Sequence, residues 1–128
     1  MKKVLFVCVE NSCRSQMAKG FFNASAKKAV ADSAGTQPAQ KINPGAIEVM
    51  KEKGIDISTS IPKTITPEMN EKFDIIVTMG CIQSCPITPG DKTIEWKIDD
   101  PKGKDIAFFR QVRDQINEKV KKLIKEVI

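Results

Sequence analysis

Cys8 and Arg14 bracket a short run, Val9-Glu10-Asn11-Ser12-Cys13, and Ser15 follows. An apolar stretch, Val4-Leu5-Phe6-Val7, leads in, and a segment able to form a helix, Gln16 to Ala26, leads out. A strand, a loop and a helix in that order aim several backbone N–H groups at one point, with a helix N-terminus behind them, and such a concavity binds oxyanions. A cysteine beside a guanidinium and a helix N-terminus is expected to be a thiolate near neutral pH. The loop from Cys8 to Ser15 therefore offers a nucleophile and an oxyanion cradle together. Taken by itself the pattern also admits a buried core thiol at Cys8 and a surface arginine at position 14. A cation at a helix N-terminus opposes the macrodipole, however, and an anion bound between them resolves the conflict.

Two absences narrow the chemistry. The chain has no histidine, which excludes Ser-His-Asp and Cys-His catalysis and any His-ligated metal. It has no tyrosine either, so a proton must come from a carboxylate, a lysine, a thiol or water. The other two cysteines, Cys81 and Cys85, lie on a loop bounded by Gly80 and Gly90, with three residues between them. In a chain with these features structural disulfides are not expected, and redox chemistry or metal binding is the stronger reading of the four thiols. A Cys₄ zinc site from Cys8, Cys13, Cys81 and Cys85 is one possibility. It leaves Arg14 and the Asp99-Asp100-Pro101 turn without a role.

The totals bound the rest. A chain of 128 residues is one domain, 1–128, able to bury roughly two thirds of its unfolded surface. With 41% hydrophobic and 29% charged residues it has the composition of a soluble globular protein. No apolar run approaches the ~20 residues of a membrane span, and Met-Lys-Lys with six apolar residues is too short for a signal peptide. The expectation is a cytoplasmic protein with no membrane association. The net charge of +5 suits the capture of a small anion, or simply solubility. No basic run is interleaved with aromatics, so nucleic acid is not an expected partner.

The elements that must position these groups alternate. Residues 3–8 read as a buried parallel strand. A helix is expected from Arg14 or Ser15 to Lys27, with Met17, Phe21 and Ala24 on its inner face. Ala29–Ala34 reads as a weaker strand closed by Gly35. Asn43-Pro44 is a helix start, with Asn as N-cap and Pro at the first helical position. That helix is expected to turn Ile47 and Met50 inward and to stop at Gly54. A short helix is expected at 67–72, a buried strand at 74–79 and an alternating edge strand at 93–98. The last helix runs from about Ile106 to Val127, with Phe109, Val112, Ile116, Val120, Leu123 and Val127 at spacings of three and four. Strands alternating with helices specify an α/β domain with a parallel sheet. Ligands in such sheets bind beyond the carboxyl ends of the strands, where the Cys8 loop, the Cys81 loop and the Asp99-Asp100 turn would converge.

The run Val7-Cys8-Val9-Glu10-Asn11-Ser12-Cys13-Arg14-Ser15-Gln16-Met17-Ala18 resembles the active-site signature shared by low-molecular-weight protein tyrosine phosphatases and thioredoxin-coupled arsenate reductases. The resemblance continues in order through Asp32-Ser33-Ala34-Gly35, Val77-Thr78-Met79-Gly80-Cys81, Cys85-Pro86 and Asp99-Asp100-Pro101. It implies a single domain with a four-stranded parallel sheet flanked by helices, the phosphatase fold. It implies Cys8 as nucleophile, Arg14 and the loop Glu10-Asn11-Ser12-Cys13 as the oxyanion holder, and Ser15 and Asn11 as supports of the thiolate and the loop. Asp100 matches the general acid, and Cys81 and Cys85 match thiols that relay oxidising equivalents. The activity implied is reduction of arsenate to arsenite for arsenic detoxification, through a Cys8 adduct and a Cys8/Cys81/Cys85 disulfide relay. Thioredoxin or a similar thiol would supply the electrons, with no cofactor and no metal, and the protein is expected to be a monomer. The alternatives are a low-molecular-weight tyrosine phosphatase and, in another class, a zinc or redox-responsive binding domain.

Two departures qualify the resemblance. Lys19 stands where many reductases of this family carry a glutamate, and Lys63 near where some carry an aspartate, two carboxylates that help hold potassium in those relatives, so no potassium site is carried over. Lys102-Gly103 follows Pro101 where many tyrosine phosphatases carry tyrosines, which favours a small inorganic substrate over a phosphotyrosyl peptide.

Overall fold

The computed structural model describes residues 2–79 and 92–127. The expected relay cysteines, Cys81 and Cys85, and the Gly80 hinge lie outside the described residues. Eight elements follow one another: β1 Lys2–Cys8, α1 Arg14–Ser25, β2 Ala29–Gly35, α2 Pro44–Lys51, α3 Pro67–Lys72, β3 Ile75–Met79, β4 Thr93–Trp96 and α4 Ile106–Val127. The four strands form one parallel sheet in the order β2-β1-β3-β4. This is the α/β sheet that the alternating pattern and the resemblance imply.

Strand β1 is central and buried on both faces from Val4 to Cys8, which explains why it reads as an unbroken apolar run. Val4 and Phe6 face a large core built with α1, α2 and α4. Leu5 and Val7 face a smaller one with Ala34, Ile65 and Ile76, flanked by Met69 and Phe73. Phe6 anchors the large core, with ring centroids 5.9 Å from Phe22 and 5.7 Å from Trp96. Helix α2 starts as its sequence implies: Asn43 accepts from the Gly45 N–H at 2.9 Å, and Pro44 occupies the first turn. Gly45 is needed for another reason. A Cβ there would lie 2.7 Å from the Phe109 ring, so the glycine lets α2 and α4 approach.

Four local expectations shift. Helix α1 ends at Ser25 rather than Lys27, because the chain turns extended at Ala26 to enter β2. Ala24 is exposed, while Ala18 and Phe22, which the spacing puts beside the inner face, are buried with Met17 and Phe21. In α2 the buried residues are Ala46, Val49 and Met50, while Ile47 is half-buried. Strand β4 is shorter than the alternation suggested. Ile98 leaves the sheet to enter the core.

Candidate active site

The loop between β1 and α1 is folded from below. Asn11 takes a left-handed conformation at φ 51° and is fully buried, a backbone region that asparagine tolerates better than most residues. Its Nδ2 donates to Ser15 Oγ at 2.8 Å. Its Oδ1 accepts from the Lys63 backbone N–H at 3.0 Å and from Gln16 Nε2 at 3.2 Å. Gln16 Nε2 also reaches the Asn11 carbonyl at 3.1 Å. Gly35, in register with Cys8 at the end of β2, lies directly against this loop. A Cβ on it would be 2.6 Å from the Val9 carbonyl oxygen.

The loop is also held from outside. The carbonyls of Val9, Glu10 and Ser12 accept the N–H groups of Gln37, Ala39 and Asn43 at 2.8, 2.9 and 2.9 Å. In a trans peptide the next residue's N–H points opposite to the carbonyl. Anchoring those three carbonyls outward therefore turns the N–H groups of Glu10, Asn11 and Cys13 toward the inside of the loop. This is how the sequence builds a cradle of donors.

At the base of the cradle Cys8 Sγ lies 2.9 Å from Ser15 Oγ. Because Ser15 Oγ already accepts from Asn11, its own proton is free to point at sulfur. Cys8, Glu10, Ser12, Cys13, Arg14, Asp100 and Lys102 together line a narrow cleft of about 10 Å³. The side chains of Asn11 and Ser15, which the resemblance implies as supports of the thiolate and the loop, lie beneath the loop and are bonded to each other. Cys13 is the N-cap of α1 and buried in the large core, and it also contributes to the cleft wall. Burial, with Cys8 and Asp100 nearby, pushes its thiol well above the ordinary range, so it stays protonated.

Arg14 is buried and directed toward the strand-end turn of residues 98–104. Its Nη1 donates to the Ile98 carbonyl at 3.0 Å, and its Nη2 lies 3.7 Å from Asp100 Oδ2. These contacts hold the guanidinium at the cleft wall, where the sequence expects it to meet a bound anion. The turn carrying Asp100 is tied to itself by the Lys102 N–H, which donates to Asp100 Oδ1 at 3.0 Å. Lys102 Nζ crosses the cleft to Glu10 Oε2 at 2.6 Å. Nothing in the sequence links Glu10 with Lys102, and the pair emerges only from the fold. Asp99 lies beside this turn, exposed.

Lys19 and Lys63 converge on one carboxylate. Lys63 Nζ pairs closely with Asp32, and Lys19 Nζ lies 3.7 Å from it. Two ammonium groups on a single carboxylate do not make a cation cage. The residues here do not fit a potassium ion. Among the described residues no cluster of three or more His, Cys, Asp or Glu side chains is arranged to hold a metal. Nor is any described helix long and apolar enough to cross a membrane.

Comparison with known proteins bears on this geometry. The family model for low molecular weight phosphotyrosine protein phosphatase matches residues 3–128. The chain belongs to that family. Within it, the chain is 42% identical to an arsenate reductase of Halalkalibacterium halodurans, over 94% of this chain and 93% of that protein. It is 38% identical to a glutaredoxin arsenate reductase of Synechocystis, over 99% of each. The crystal structure of an arsenate reductase from Archaeoglobus fulgidus superposes with a TM-score of 0.83 at 38% identity, covering 95% of this chain and 98% of that one. The Archaeoglobus fulgidus structure shares this chain's fold, and the loop after β1 is where the family signature in the sequence falls.

Proposed function

We propose that this member of the family is an arsenate reductase, converting arsenate to arsenite with a thiol reductant. The observation that carries the reading is the Cys8 sulfur, 2.9 Å from Ser15 at the base of a donor-lined cleft that Arg14 and Asp100 close from the other side. The extent of likeness to arsenate reductases selects the reaction among those such a cleft can perform.

In this mechanism arsenate sits on the loop N–H groups with Arg14 turned toward it. The Cys8 thiolate forms an S–As bond, and one As–O bond breaks as Asp100 supplies a proton and water leaves. The N–H groups stabilise the charge carried by the remaining oxygens. Cys81 thiolate then attacks Cys8 Sγ. The electron pair of the S–As bond goes to arsenic, which falls from V to III and departs as arsenite. Cys85 thiolate attacks Cys81, frees Cys8, and leaves a Cys81–Cys85 disulfide. Two electrons from a thioredoxin- or glutaredoxin-type thiol return that pair to thiols. Such a cycle belongs in the cytoplasm, where thiols are kept reduced.

The test is arsenate-dependent NADPH oxidation, coupled in parallel through thioredoxin with its reductase and through glutaredoxin with glutathione. It is run on the wild type and on Cys8→Ser, Cys81→Ser and Cys85→Ser. Steady turnover should disappear in all three variants, by about 10³-fold or more for Cys8→Ser. Undiminished turnover in Cys81→Ser rules out the relay. A phosphatase, by contrast, would hydrolyse aryl phosphate at a rate that survives loss of both Cys81 and Cys85.

A further inference from the structure

Glu10 is an awkward residue for an anion cradle. A carboxylate at the mouth of the cleft repels the dianion that the loop N–H groups and Arg14 attract. Its charge is balanced across the cleft by Lys102, 2.6 Å away and 92 positions later in the chain. Both side chains are partly open to water, 31% for Glu10 and 58% for Lys102. An ion pair at such a rim adds little to stability and exchanges partners readily.

With the pair in place the cleft holds about 10 Å³, room for about one water. A tetrahedral oxyanion with four oxygens is larger than that, and seated on the loop N–H groups it meets the pair at the mouth. The floor is held in place, since Asn11 and Ser15 are fully buried and Asn11, Ser15 and Gln16 are bonded to one another. The opposite wall is the exposed turn that carries Lys102, with Gly103 in the left-handed region at φ 81°. The Lys102 N–H also holds Asp100, so the lysine and the carboxylate move as one unit.

We propose that the Glu10–Lys102 ion pair is a latch opened by exchange: an incoming multiply charged inorganic oxyanion takes the Lys102 ammonium from Glu10 and is held by it at the cleft mouth. Lys102 is then a specificity-determining residue that favours small, highly charged oxyanions. Glu10 is its resting partner and makes weakly charged anions poor competitors. The inference rests on the Cys8–Ser15 loop being an oxyanion site and is independent of whether arsenic is reduced there.

The experiment is calorimetric titration of the full chain with inorganic phosphate and with arsenate, in the absence of any external reductant. It compares the wild type, Lys102→Met, Glu10→Gln and the double variant. The latch predicts opposite signs. Lys102→Met weakens phosphate binding by about tenfold. Glu10→Gln tightens it by about threefold, because breaking the pair no longer opposes binding. Both differences shrink as ionic strength rises. The latch is overturned if the two single variants weaken binding alike, as a clasp that stays shut would. It is also overturned if Lys102→Met binds phosphate as tightly as the wild type. If the wild type itself binds neither anion, the oxyanion reading of the loop fails first.

Discussion

The two walls of the cleft are built by opposite means. The floor, residues 8–16, is buried and cross-bonded: Asn11 alone makes side-chain hydrogen bonds to Ser15, Gln16 and Lys63. The opposing turn, residues 99–104, is exposed apart from Pro101. It meets the floor through charge, Arg14 to Asp100 and Glu10 to Lys102. A floor that is already organised stabilises developing charge without reorganising. A turn held by charge contacts is able to open and return. In the proposed reaction the contrast separates where the anion is held from where protons and access are controlled.

Removing the acid is the most severe way to probe that separation. Asp100→Asn leaves the floor intact but deprives the departing oxygen of its proton. The arsenate-dependent kcat should fall by about a hundredfold, while the affinity for phosphate changes much less. Steady-state kinetics beside calorimetry measure the two effects. If Asp99→Asn proves the more damaging change, the proton does not come from Asp100.

Paired glycine substitutions compare the walls as structures. On the floor, Gly35→Ala places a methyl group 2.6 Å from the Val9 carbonyl. The loop must shift, and stability should fall by about 1–3 kcal/mol in urea unfolding, with activity lost as the cradle distorts. On the turn, Gly103→Ala meets nothing within 4 Å and suffers only from its positive φ. Its cost should be about 1 kcal/mol, with binding nearly unchanged. Equal costs at the two positions would mean that the floor is no more rigid than the turn.

Much of this was legible in the residues because it is local. The apolar run of β1, the Asn43-Pro44 helix start and the periodicity of α4 each follow from short-range physics. The nucleophile candidate was visible because Cys8, Arg14 and Ser15 share one loop. What escaped depends on pairs distant in the chain. Gln16 reads as an ordinary helix residue, and its support of Asn11 follows from the left-handed turn at Asn11. The bonds from Asn11 to Lys63 and from Glu10 to Lys102 span 52 and 92 positions. The contacts Arg14 makes within the protein escaped for the same reason. Its partner is the Ile98 carbonyl, exposed to it because the chain leaves β4 early.

A third region, remote from the cleft, tests whether charge contacts at the surface matter as such. Glu52, just beyond α2, accepts from Arg110 Nη2 at 2.8 Å and from Arg113 Nη1 at 2.6 Å, both on α4. Hydrogen bonds from Arg110 and Arg113 hold its carboxyl at about 2, below the ordinary 4.5. A carboxyl depressed in the folded state stabilises the fold above its unfolded value and loses that contribution as pH falls through the folded one. The advantage of the wild type over Glu52→Gln should therefore be full near neutral pH and shrink between about pH 4.5 and 2. Glu52 is exposed, so the shift in Tm at neutral pH should be small, about 1–3 °C. Arsenate turnover should be unchanged, because this clasp joins two helices and touches neither wall of the cleft. A matching loss of turnover would mean that the cleft depends on how α2 is held through the Asn43–Ser12 hydrogen bond, and the contrast between a self-sufficient floor and a charge-held turn would have to be redrawn to include that helix.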